Sequence, residues 1–98
     1  MTDDQIRGCR QIALHFGRAA QVKQTLQEFA ELQQLLCLRD DQIARHPEYS
    51  AHVAEEIADC MIMLQQMADL YDVRKAVECN IAGKIDRTLE VIHGKSSF

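Results

Sequence analysis

Residues 50–71, Ser-Ala-His-Val-Ala-Glu-Glu-Ile-Ala-Asp-Cys-Met-Ile-Met-Leu-Gln-Gln-Met-Ala-Asp-Leu-Tyr, decide how this chain folds. No proline or glycine interrupts them, so an unbroken helix is expected over 50–72. At about 100° per residue, Val53, Ile57, Cys60, Leu64, Met67 and Tyr71 form one stripe. Ala54, Ala58, Ile62, Met63 and Leu70 then spread apolar surface over most of the remaining circumference. A helix apolar nearly all round is buried on several sides. A 98-residue chain offers little else to bury it with, so the remaining cover is expected from another subunit.

Outward from that helix, weak punctuation separates three more: about 4–16, ending at Gly17; 18–39; and 74–92. Val22, Phe29, Leu32 and Leu36 mark the inner stripe expected on the second. The only long loop expected runs from Arg39 to Tyr49, with Ser50 able to cap the third helix. Asp72 is placed to cap the fourth helix, which the short turn makes antiparallel to the third. The expected architecture is all-α, a four-helix-bundle-like single domain over residues 1–93 that assembles as a homodimer or homotetramer, with a fraying tail at 94–98.

Composition narrows the function classes. A formal charge of −4, with 11 basic residues scattered among 15 acidic ones, excludes a phosphate-neutralising patch for nucleic-acid polymers. No segment approaches the apolar length of a membrane span, and Met1-Thr2-Asp3-Asp4 lacks the look of a secretory leader, so a cytoplasmic protein is expected. Cys9, Cys37, Cys60 and Cys79 are widely spaced and without paired histidines. They read as reduced, buried small hydrophobes.

The chemistry sits in two carboxylate pairs. Glu28 and Glu31 lie on adjacent turns of the second helix, at the border of its apolar stripe, and Glu56 and Asp59 repeat the arrangement on the third. Antiparallel packing of these helices converges four carboxylates on one seam. Like charges at a partly dry site repel and raise one another's pKa, and a divalent cation relieves this. All-oxygen ligation suits Mg²⁺ or Mn²⁺ and argues against zinc. Magnesium is commonly completed by substrate phosphates, and the fourth helix offers donors for them: Lys84 interrupts the stripe Val77, Ile81, Ile85, Thr88 and Ile92, with Asn80 and Arg87 one turn away on the same side. Glu55, about 100° from Glu56, reads as outer-shell or solvent-facing. His46, His52 and His93 read as ordinary surface or loop residues.

Glu28-Phe-Ala-Glu31 followed after 24 residues by Glu56-Ile-Ala-Asp59 resembles the E-x-x-E…E-x-x-D signature of the MazG-like, all-α nucleoside triphosphate pyrophosphohydrolases. His15-Phe-Gly17, Gln21 and Leu32 around the first pair, Glu55 beside the second, and Lys84-x-x-Arg87 resemble their flanking elements. The likeness spans roughly residues 15–90. It implies Mg²⁺-dependent hydrolysis of a nucleoside or deoxynucleoside triphosphate to the monophosphate and pyrophosphate. Glu28, Glu31, Glu56 and Asp59 would be the ligands, with Glu28 or Glu31 the general base. Lys84 and Arg87 would hold the phosphate chain, and His15, Gln21 or Gln24 would read the base. Relatives carry an asparagine after the C-terminal lysine, whereas here Asn80 precedes Lys84. Two other classes compete. A ferritin-like di-iron bundle needs two E-x-x-H motifs, and only Glu90-x-x-His93 fits. A non-catalytic helical adaptor or decayed relative would bury the same stripes without metal-dependent turnover.

Overall fold

The computed structural model describes residues 1–94. The expected frayed tail therefore lies outside the described residues, apart from Gly94. All regular structure among them is helical: α1 (Asp3–Phe16), α2 (Arg18–Leu36), α3 (Asp40–Ala44), α4 (Tyr49–Leu70) and α5 (Arg74–Ile92). The four long helices match the expected segments. The loop expected at 39–49 instead contains α3, opened by the Gln42 side chain, which accepts from the Arg39 backbone N–H at 2.9 Å.

The helix ends explain the chain's path. Thr2 caps α1 in a reciprocal capping box with Gln5. Between α1 and α2 a single residue, Gly17, turns the chain with φ 85° and ψ 165°, a region essentially reserved for glycine. Its Cβ position is open space, so the constraint is purely conformational. Gly17→Ala should cost about 1–3 kcal/mol, whereas Gly83→Ala, in an equally open helix interior, should stabilise by roughly 0.5–1 kcal/mol. Urea unfolding at one fixed protein concentration reads both.

Two expected caps fall elsewhere. Ser50 lies inside α4, which begins after left-handed Glu48. Asp72 ends α4 instead of capping α5. It adopts φ 53°, its N–H donates to Asp69 O at 3.2 Å, and the Val73 N–H donates to Ala68 O at 2.9 Å. This is the paired bonding of a Schellman ending, with aspartate standing where glycine is commonest.

α2 and α4 run antiparallel in a regular register. Gln21 Nε2 donates to Gln66 Oε1 at 2.7 Å, Cys60 Sγ to Glu28 O at 3.5 Å, and Tyr49 OH to Leu35 O at 2.7 Å. α1 crosses the other flank of α4, where Arg10 pairs with Asp69 at 3.5 Å. The buried apolar residues are Cys9, Ala13, Leu35, Cys60, Met63 and Ala68, and they are joined inside by Gln21, Thr25, Glu56 and Gln66.

Both expected stripes are therefore rotated. On α2 the inner face is Gln21, Thr25, Glu28, Leu32 and Leu35, while Phe29 and Leu36 are exposed. On α4 it is Glu56, Cys60, Met63 and Gln66, while Ile57, Leu64 and Tyr71 are exposed. The cysteines divide likewise: all four are free thiols, Cys9 and Cys60 buried, Cys37 and Cys79 exposed.

α5 packs sparsely, chiefly on α4. Its first turns, at Val77 and Ile81, border a hollow shared with Met61, Leu64, Gln65 and Ala68, a flank of α4 centred about 140° round from Glu56. No residue of α5 is buried, and Val77, Ile81, Ile85, Leu89 and Ile92 all stay substantially exposed. The radius of gyration is 16.8 Å, against about 12.6 Å for a compact chain of this length.

Candidate metal centre

Antiparallel register brings the two carboxylate pairs together at mid-seam. Oxygens of Glu28, Glu31 and Glu56 all lie within 4.8 Å of one another. Asp59, one turn beyond Glu56, lies close enough to Glu28 for that neighbour's charge to raise its pKa. Glu56 is buried, Glu28 and Asp59 half-buried, and Glu31 exposed at the mouth; Glu55 faces solvent.

The electrostatics follow from crowding. Glu56 is pushed above its ordinary value by burial first, then by the charge of Glu31 and a hydrogen bond shared with it, then by Glu28 and Asp59. Asp59 is raised by burial, then by the charge and hydrogen bond of Glu28. Every charged neighbour acting on Glu56 is another carboxylate. Burial and these same four acids also push the Cys60 thiol upward, so Cys60 is a neutral packing residue.

Two buried oxygens, Glu28 Oε2 and Glu56 Oε2, have no hydrogen-bond partner. Orphan acceptors inside a group of mutually repelling acids are costly to desolvate. An all-oxygen donor set of this kind matches a hard divalent cation, so the residues present fit Mg²⁺ or Mn²⁺.

The other expected site residues fare differently. Gln24 Nε2 donates to Glu28 Oε1 at 2.7 Å, which makes it a support of the cluster. Gln21, expected to read the base, is buried and spends its amide on the fully buried Gln66; its role is to tie α2 to α4. His15 is exposed at the end of α1, its ring edge-on to Phe16. Its neighbour Leu14 borders Leu70, 14 residues along α4 from Glu56 and so about 21 Å away.

Asn80, Lys84 and Arg87 lie on α5, away from the α2–α4 seam that holds the carboxylates. They are exposed on α5, and Lys84 borders a shallow hollow formed with Ile85, Thr88 and Leu89 alone.

One neighbour escaped the sequence reading. His52, half-exposed near the start of α4, has its Nε2 3.6 Å from Glu56 Oε1, a proximity to the cluster that the sequence reading did not assign. The i, i+4 spacing of His52 and Glu56 carried the signal, since residues so spaced share a helix face.

No protein-family profile, curated protein or solved structure matches this chain. Among the described residues, no helix is long and apolar enough to cross a membrane.

Proposed function

We propose that this chain is a MazG-like pyrophosphohydrolase, hydrolysing a nucleoside or deoxynucleoside triphosphate to the monophosphate and pyrophosphate in the cytoplasmic nucleotide pool. The observation that carries this reading is the convergence of Glu28, Glu31 and Glu56 within 4.8 Å, with two buried oxygens unpartnered. Together with Asp59 these residues would hold Mg²⁺ or Mn²⁺, which when bound neutralises triphosphate charge and makes water a better nucleophile. Glu28 is tied down by Gln24, which suits a ligand. Glu31, exposed at the mouth, is the better placed of the two to take a proton from the attacking water.

The phosphate donors then come from a second copy. The chain exposes 7519 Å², whereas a compact monomer of this mass exposes about 5,700 Å². The excess of about 1,800 Å² exceeds the ~800 Å² that each partner buries in a standard interface. Its largest apolar share lies on α4 and α5. Docking α5 on a second protomer would cover both stripes, complete a bundle across the interface and carry Lys84, Arg87 and Asn80 toward another cluster. His15 would approach a base by the same route. A dimer or tetramer is the expected sedimenting species at micromolar concentration, and Ile85→Glu should dissociate it. A monodisperse wild-type monomer contradicts the assembly.

Screening a nucleotide panel with Mg²⁺ and pyrophosphate as readout tests the activity. Lys84→Ala should weaken nucleotide affinity about 10- to 100-fold, the loss of one charge-assisted contact, while metal affinity of the empty site is kept. After subunit exchange, and at nucleotide low enough that Lys84→Ala alone turns over little, an equal mixture of Lys84→Ala and Glu56→Gln chains should recover about a quarter of wild-type turnover, because half the dimers are mixed and each holds one intact site. No turnover on any nucleotide would favour the helical adaptor, for which the exposed apolar surface is the supporting observation.

A further inference from the structure

Glu56 lies in the third turn of α4, and its two oxygens have different surroundings. Oε1 is 3.6 Å from His52 Nε2, whereas Oε2 is buried without a partner. His52 is itself braced. The His46 ring stands 5.5 Å from it and also 5.5 Å from Tyr49, nearly edge-on. Tyr49 is anchored to α2 by its hydroxyl, which donates to Leu35 O at 2.7 Å. The segment following α3 thus sets one ring beside a half-exposed imidazole whose Nε2 lies nearest one carboxylate oxygen. His52 is not among the three residues whose ligand atoms lie within 4.8 Å of one another, Glu28, Glu31 and Glu56, and a hard divalent cation favours their oxygens over an imidazole nitrogen.

We propose that His52 is a positioning residue: by engaging Glu56 Oε1 it fixes the rotation of that carboxylate and leaves Oε2 for a divalent cation shared with Glu28 and Glu31. This rests on reading the cluster as a cation site. Carboxylate ligands left free to rotate lose pre-organisation, and partners outside the ligand shell commonly change metal affinity by about 10- to 100-fold. A glutamine at position 52 keeps an N–H donor at nearly the reach of Nε2, whereas an alanine keeps none.

The test is calorimetric titration of the wild type, His52→Ala, His52→Gln and Glu56→Gln with MnCl₂ and separately with MgCl₂, with helicity and metal-free melting temperature measured alongside. His52→Ala should bind both metals about 10- to 100-fold more weakly by the same factor, with its helicity unchanged, and His52→Gln should regain most of the loss. Affinity equal to wild type in His52→Ala overturns the positioning role and leaves the metal centre standing. A loss for Mn²⁺ with none for Mg²⁺ also overturns it, since that marks imidazole as a ligand. Wild-type protein that binds neither metal at the site probed by Glu56→Gln overturns the metal centre, and the positioning role with it.

Discussion

Glu56→Gln is expected to change two properties in opposite directions. The substitution preserves volume in the buried centre of the α2–α4 seam but removes one ligand charge. Divalent-cation affinity should fall by at least about 100-fold, since changes merely outside the ligand shell already cost 10- to 100-fold, and pyrophosphate release should become undetectable. The metal-free protein should melt at a higher temperature than wild type at neutral pH. One of the mutually repelling carboxylates is gone, and an amide can donate to Glu31 or Glu28, whose charges bear on Glu56. Fold damage predicts a lower melting temperature, so calorimetric titration with Mn²⁺ and thermal unfolding in chelator separate the two causes. Unchanged Mn²⁺ affinity sinks the metal assignment.

The second large effect is the response of the wild type to metal and to pH. Glu56 and Asp59 are both raised in the folded protein, so the folded state binds more protons than the unfolded chain once pH passes the ordinary carboxylate range. By linkage, stability then falls as pH rises from that range through the raised values, and levels off above them. The cluster contributes most favourably in acid, the reverse of a salt-bridged carboxylate. A cation that binds only the folded state removes the penalty. At about 100 times its dissociation constant it should add ~2.7 kcal/mol and raise the melting temperature by roughly 10–20 °C. Melting curves from pH 4 to 8, with chelator and with Mg²⁺, should diverge toward neutral pH. Parallel curves would show that the carboxylates hold no ion.

The sequence by itself determined the long helices and their order. Proline and glycine are scarce within them, and Thr2 and Gly17 carry end signals that depend only on local backbone geometry. It also determined that two carboxylate pairs could meet, because equal i, i+3 spacing on consecutive long helices puts each pair on one face. Which face turns inward was a tertiary decision. α4 is apolar on nearly every side, so periodicity ranks no single orientation, and the stripe through Ile57, Leu64 and Tyr71 is matched by a narrower one through Glu56, Cys60, Met63 and Gln66. The second is inside because Gln66 finds Gln21 and Tyr49 finds Leu35 O across the seam. Those pairings arise only at one antiparallel register, between residues far apart in the chain. The same rotation buries Glu56 and brings His52 beside it. It also leaves the aliphatic surface of α4 and α5 outside, because the described residues include no further helix to lay against it.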